Sequence, residues 1–287
     1  MITTPLNLND NLPLTCSRKG TCCHGNLVFL NPWELVQLAK EKKISSKEFR
    51  DLFCEDSGIQ LKFKGKQDVR GKSACNLYTD DFGCSVHKGR PLACRLFPIG
   101  RQIQSNEVQY VFQGTEFPCL NGCPEVLELP KLTVSKYLRG QETELFEQAQ
   151  DEYLEVMQNL ADIAFALLLD TELAESGDTN TLKNWRKMGA ETPQQLMGRI
   201  TPDWMDCLMV PEIDTNETHL FIQQHNELLQ TKAQQEFGSL ATIEALSSAC
   251  IQMMALTLYL AKGIGANPSS LVELWIEIAK DNGATND

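Results

Sequence analysis

Cysteine placement constrains this chain more than any other feature. Nine of its 11 cysteines lie within residues 1–123. Eight of these follow the pattern Cys16-x5-Cys22-Cys23, Cys75-x8-Cys84-x9-Cys94 and Cys119-x3-Cys123. They sit in Gly- and Pro-rich stretches beside polar residues, where burial gains little. Loops bearing several thiols are how proteins gather thiolates on a soft metal. The odd cysteine total, the absence of a secretory leader and the chain length argue against a disulfide framework. Cys54, Cys207 and Cys250 are read differently. Each is placed on a predicted helix among apolar residues, where a thiol behaves as a small hydrophobe.

Eight thiols suffice for one [4Fe–4S] cluster with four to spare, or for two zinc sites of four thiolates each. Adjacent side chains on an extended backbone point to opposite faces. Cys22 and Cys23 therefore share one tetrahedral zinc only if the chain turns sharply there, and Gly20 and Gly25 permit such a turn. Otherwise the pair serves a broader four-iron cluster or two separate centres. Of the two metals, iron–sulfur is preferred. His24 and His87 are candidate alternate ligands. Arg90 and Arg95 flank Cys94 and are candidate donors of charge-assisted hydrogen bonds to sulfur. The competing use of both arginines is an ordinary salt bridge to acidic helices.

Charge divides the chain in the same place. Residues 1–110 hold 16 Lys+Arg against 11 Asp+Glu, a net of +5; the remainder holds 10 against 27, a net of −17. So acidic a chain is not expected to bind nucleic acid. The opening "MITTPLNLNDNLPLT" has no basic start followed by an apolar run. The apolar stretches "IAFALLL" and "IQMMALTLYLA" fall short of the roughly 20 residues of a membrane span. The expectation is a cytoplasmic protein, with reduced thiols and no membrane partner.

Periodicity and punctuation predict the elements. A helix is expected over 31–43, capped by Asn31 with Pro32 in first position and Glu34 three residues on. A second is expected over 45–58, with Ser45 and Glu48 as a capping box, Cys54 inside it and Gly58 ending it. Residues 59–65 and 108–114 alternate like strands, and 66–100 read as loops. Helices follow at "TVSKYLRGQ" and 142–175, the latter with a stripe of Leu145, Ala149, Tyr153, Val156, Leu160, Ile163 and Leu167. Shorter helices are broken at Pro193, Pro202 and Pro211, and three longer ones are expected near 216–237, 239–262 and 268–281. The fold class is therefore mainly α. A loop-rich metal-binding cysteine module with a few short strands (1–130) precedes an all-helical portion (131–287), with a linker expected at 176–180.

Three stretches, "CSRKGTCC", "ACNLYTDDFGCSVHKGRPLACRLFP" and "FPCLNGCPE", together resemble the YkgJ-type CxxCxxCC family of zinc- or iron-chelating cysteine-cluster proteins, which includes the flagellin lysine-N-methylase. The most specific piece is "GCSVHKGRPLACRLFP", with Cys84, His87, Arg90, Pro91, Cys94, Arg95 and Pro98 in family positions. The likeness covers roughly residues 14–170. One departure stands out: Lys19 occupies the place of the signature's middle cysteine.

Two functions of different classes follow. The first is a cysteine-cluster metal protein in which the centre staples a module or carries electrons. The second, implied by the resemblance alone, is an S-adenosylmethionine-dependent protein lysine N-methyltransferase acting on a protein substrate. No dinucleotide-binding, P-loop, zinc-protease or α/β-hydrolase string occurs. Cys119-x3-Cys123 opens like a radical C-x3-C-x2-C triplet, but its third place is Val126.

Overall fold

A computed structural model describes residues 3–12, 20–80, 82–104, 107–113, 124–170 and 179–281. Cys16, Lys19, Cys119, Cys123 and most of the expected linker at 176–180 lie outside the described residues. In chain order the elements are β1 (Thr3–Leu6), α1 (Pro32–Lys42), α2 (Ser46–Phe53), β2 (Cys54–Glu55), β3 (Gln60–Leu61), β4 (Tyr78–Thr79), β5 (Gly83–Cys84), α3 (Leu92–Leu96), β6 (Ile99–Gln104), β7 (Glu107–Gln113), α4 (Val134–Gln141), α5 (Glu144–Asp170), α6 (Thr179–Ala190), α7 (Pro193–Met197), α8 (Pro202–Met209), α9 (Thr218–Phe237), α10 (Ile243–Gly263) and α11 (Pro268–Asp281). The fold is mainly α, with its few short strands in the N-terminal part and helices after them.

The chain divides into two compact units. Unit 1 comprises Met1–Val28, Gln37–Ile44 and Leu61–Gln148; unit 2 comprises Phe29–Val36, Ser45–Gln60 and Ala149–Asp287. The units interleave in sequence, so no single cut at residue 130 separates them.

Unit 1 contains a three-stranded antiparallel sheet in the order β1-β7-β6. The strand expected at 108–114 is β7. The other two carry no alternation of their own. Thr3–Leu6 is extended because it pairs with β7, Leu6 opposite Tyr110. Pro98 and Gly100 make the start of β6 read as loop, yet Gly100 pairs with Val111 and Ile99 with Phe112. Pairing overrides weak local preference here. Within 66–100 the structure is not all loop: it holds β4, β5 and the one-turn helix α3. The strand expected at 59–65 shrinks to the two residues of β3. Helix α4 starts where Thr133 Oγ1 accepts the Lys136 amide at 3.3 Å. Glu142, with φ of 54°, separates it from α5.

Unit 2 is built from helices whose starts follow the sequence signals. Asn31 Oδ1 accepts the Glu34 amide at 2.9 Å, and Glu34 Oε2 accepts the Asn31 amide at 3.1 Å. Ser45 Oγ accepts the Glu48 amide at 3.1 Å. The second helix ends at Phe53, earlier than expected, because Cys54 is already extended. Asp56, Ser57 and Gly58 then all take positive φ, which no α-helix continues through. Cys54 is accordingly on β2 rather than on a helix, and it is buried. Along α5 the expected stripe holds at Ala149, Tyr153, Val156, Leu160 and Leu167. Leu145 is exposed, and its neighbour Phe146, in unit 1, is buried in its place.

The core of unit 2 is aromatic and aliphatic: Trp185, Trp204, Trp275, Tyr153, Tyr259 and Phe221 are each no more than 1 % exposed. Pro193 and Pro202 each begin a helix rather than interrupt one. By length and composition alone α10 is able to span a bilayer. Its apolar character is accounted for by packing: every residue from Met253 to Ala261 is buried, and the helix packs on α6, α7 and α11. One buried polar group is fully accommodated. His225 Nδ1 is 2.8 Å from the Tyr153 hydroxyl, and His225 Nε2 is 3.1 Å from the Cys207 carbonyl. A carbonyl only accepts, so Nε2 carries the proton and Nδ1 accepts from the tyrosine. Burial pushes this imidazole's pKa down to about 4.

Candidate metal centre

Five of the cysteines singled out by spacing, Cys22, Cys23, Cys75, Cys84 and Cys94, line one cavity of about 310 Å³ in unit 1. Four separate local structures deliver them. Cys22 and Cys23 lie on a single 3₁₀ turn, Thr21–Cys23. Cys75 follows a bridge between His24 and Ala74, and its amide donates to the Cys23 carbonyl at 2.7 Å. Cys84 is on β5, opposite Tyr78 of β4. Cys94 is on α3. Cys75, and the short elements β5 and α3 that carry Cys84 and Cys94, come from the segment that reads as loops.

Glycines make the 3₁₀ turn possible. Gly20 has φ of 77° and Gly25 has φ of 66°. A Cβ at Gly20 would stand 2.6 Å from a ring carbon of Tyr78, so both the conformation and the close approach require glycine. The sharp turn that adjacent cysteines need is therefore built. Instead of pointing to opposite faces, the Cys22 and Cys23 thiols hydrogen-bond to each other. That bond pulls the Cys22 pKa down to about 7, helped by the nearby Arg90 charge. The same bond, together with burial, pushes Cys23 far up. Burial raises Cys75 to about 11, and it also raises Cys84.

The histidines and arginines have other tasks. Arg90 donates to His87 Nε2 and to Gln141 Oε1. A guanidinium only donates, so His87 Nε2 is an acceptor here, its lone pair already engaged. His24 donates from Nδ1 to the Gly20 carbonyl at 3.2 Å and stacks edge-on against Tyr78. It is not among the residues lining the cavity. Arg95 is buried and holds the loop together: it donates to the carbonyls of Arg90 (2.9 Å), Gln141 (2.7 Å) and Lys88. Its guanidinium lies 3.8 Å above the Phe146 ring. Its ion pair to the exposed Glu142 carboxylate is long, at 3.8 Å.

Sequence reasoning missed Tyr137 and Gln141, which line the cavity from α4. Nothing in the cysteine spacing points to a helix more than forty residues downstream. Of the remaining thiols, Cys54 and Cys250 are buried, and Cys207 is half-buried on α8.

The donor chemistry fits a soft metal. Five thiols and His87 line the cavity, and among the described residues no Asp or Glu does. The thiols share a cavity without converging on one point. Among the described residues, no three Cys, His, Asp or Glu side chains gather closely enough to hold a single ion. Searches of curated proteins and of solved structures return no match to the chain. Residues 15–112, the stretch that runs from Cys16 to β7 and includes all five cavity thiols, match the family model CxxCxxCC, described as a putative zinc- or iron-chelating domain.

Proposed function

We propose that unit 1 is a thiolate metal module whose centre is an iron–sulfur cluster rather than mononuclear zinc. One observation carries the reading: five thiols surround a cavity of about 310 Å³, yet no three are gathered at single-ion distance among the described residues. Thiolates on one zinc each lie about 2.3 Å from the metal, so they must sit within about 4 Å of one another. A four-iron cluster gives each iron its own thiolate and spaces them more widely. Such a cluster takes four thiolates; Cys22, Cys23, Cys75, Cys84 and Cys94 are the candidates from the described residues, and Cys16, Cys119 and Cys123 are candidates on spacing alone. A reducing cytoplasmic setting keeps such thiols available. The centre then staples the module or carries an electron to a protein partner.

The test is metal and acid-labile sulfide per chain in protein purified without oxygen. Iron and sulfide in matching amounts, with broad visible absorbance, are expected. Cys84→Ser and Cys94→Ser should each lose most of the metal, whereas Cys207→Ser and Cys250→Ser should retain it. Zinc without sulfide overturns the cluster, and equal metal in all four variants overturns the cavity as its seat.

A further inference from the structure

Arg90 presents a problem of charge that the rest of unit 1 does not solve. It is buried, at 9 % exposure, and it lines the thiol cavity. Its two terminal nitrogens donate to neutral acceptors, His87 Nε2 and Gln141 Oε1. Its Nε is buried and has no hydrogen-bond partner among the described residues. No carboxylate pairs with it among those residues, and none lines the cavity. Buried charges are ordinarily paired, because removing an ion from water without compensation costs several kcal/mol or more. The cavity itself must therefore supply the anion. The lining groups able to do so at neutral pH are the cysteines, once a metal has displaced their protons.

We infer that Arg90 is the built-in counter-ion of the thiolate centre and that its Nε–H is reserved for a metal-bound sulfur. This rests on the metal-centre reading above and adds to it a positioning residue. His87 and Gln141 fix the guanidinium plane by taking its outer nitrogens, which leaves Nε as the one guanidinium nitrogen without an acceptor among the described residues. A permanent positive charge offsets part of the negative charge that several thiolates bring. A hydrogen bond to sulfur draws electron density from it and so lowers its donation to the metal. Arginine suits this task better than lysine because its fork can be held by two neighbours while a third donor stays free.

The experiment uses the full-length chain reconstituted with iron and sulfide without oxygen, with the visible charge-transfer absorbance as the spectroscopic readout and chelator competition for affinity. The wild-type chain is compared with Arg90→Gln and Arg90→Lys. Arg90→Gln should bind about 10- to 100-fold more weakly, the usual loss for an outer-shell partner. It should also move the sulfur-to-iron charge-transfer band to lower energy, because sulfur freed of its hydrogen bond donates more. Arg90→Lys keeps the charge and should fall between the two, which covers the case in which Arg90→Gln fails to fold. A merely structural arginine would lower occupancy without moving the band. Band position unchanged in both variants therefore overturns the inference alone. A wild-type chain that binds no metal at all overturns it together with the reading beneath it.

Discussion

The same residue type does opposite things in the two units. In unit 2, Cys250 is buried on α10, its thiol donates to the Ala164 carbonyl at 3.4 Å, and burial pushes its pKa up to about 12. It packs as a small apolar side chain and has no tendency to ionise. In unit 1, Cys22 lies beside a second thiol and a buried guanidinium at the edge of a hollow, and its pKa falls to about 7. The surroundings, not the thiol, set the chemistry. The interiors differ in the same sense. Unit 2 closes on tryptophan, tyrosine, leucine and methionine, and its cavity of about 540 Å³ is lined by Arg50, Asp51 and Asp206 with a single cysteine, Cys54. Unit 1 surrounds its cysteines with short strands, a 3₁₀ turn and a one-turn helix, and its packing stops at a cavity. Short elements of this kind recover little of their ordering entropy from apolar contacts.

The largest expected effect tests that contrast directly. Structural metal binding supplies ~10–16 kcal/mol in small modules. Stripping the metal with a chelator should thus expose residues 20–28, 37–44 and 61–112 of unit 1 to proteolysis and hydrogen exchange. Unit 2 should be unmoved. All four tryptophans, Trp33, Trp185, Trp204 and Trp275, belong to unit 2 and are buried, so tryptophan fluorescence reports that unit alone. Protection of 61–112 in the stripped chain, or a matching loss of fluorescence, would erase the distinction between the units.

Acid should sharpen it from the other side. His225 in the folded state stays neutral down to about pH 4, whereas the unfolded chain takes up its proton near the ordinary 6.5. The unfolded state therefore binds more protons between these values, and unit 2 loses stability as pH falls through that window. The loss approaches roughly 3 kcal/mol at pH 4 and is absent above pH 7. Urea unfolding followed by tryptophan fluorescence at pH 7 and 4.5 gives the slope. His225→Gln should flatten it; an unchanged slope in that variant would assign the acid sensitivity elsewhere.

The smallest effect is a helix start in unit 2. Thr192 and Gln195 form a reciprocal capping box, with Thr192 Oγ1 accepting the Gln195 amide at 3.3 Å and Gln195 Oε1 accepting the Thr192 amide at 2.8 Å. Thr192→Ala should cost about 1 kcal/mol by the same urea measurement, with metal content unchanged. A change in metal content would mean that helix stability in unit 2 and the centre in unit 1 are not independent.

Local signals determined a good deal of this protein. Asn31 with Glu34, Ser45 and Thr133 mark helix starts because a cap needs only the residues next to it. The spacing of the cysteines picked out five thiols that do line one cavity, because clustered thiols in Gly-rich loops have few other uses. Gly20 and Gly25 announced the turn at Cys22 and Cys23 for the same reason: φ above zero is a property of one residue. Tertiary structure decided the rest. Thr3–Leu6 and Ile99–Gln104 are strands only because β7 lies between them, and no window of sequence contains that partner. Cys54 left its helix when three consecutive residues took positive φ, two of them not glycine. Arg90 and Gln141 meet across fifty-one positions, and His87 loses its Nε2 lone pair to that same arginine. Which donors a cavity keeps free is settled by which neighbours take the others, and those neighbours are brought together by folding, not by proximity in the chain.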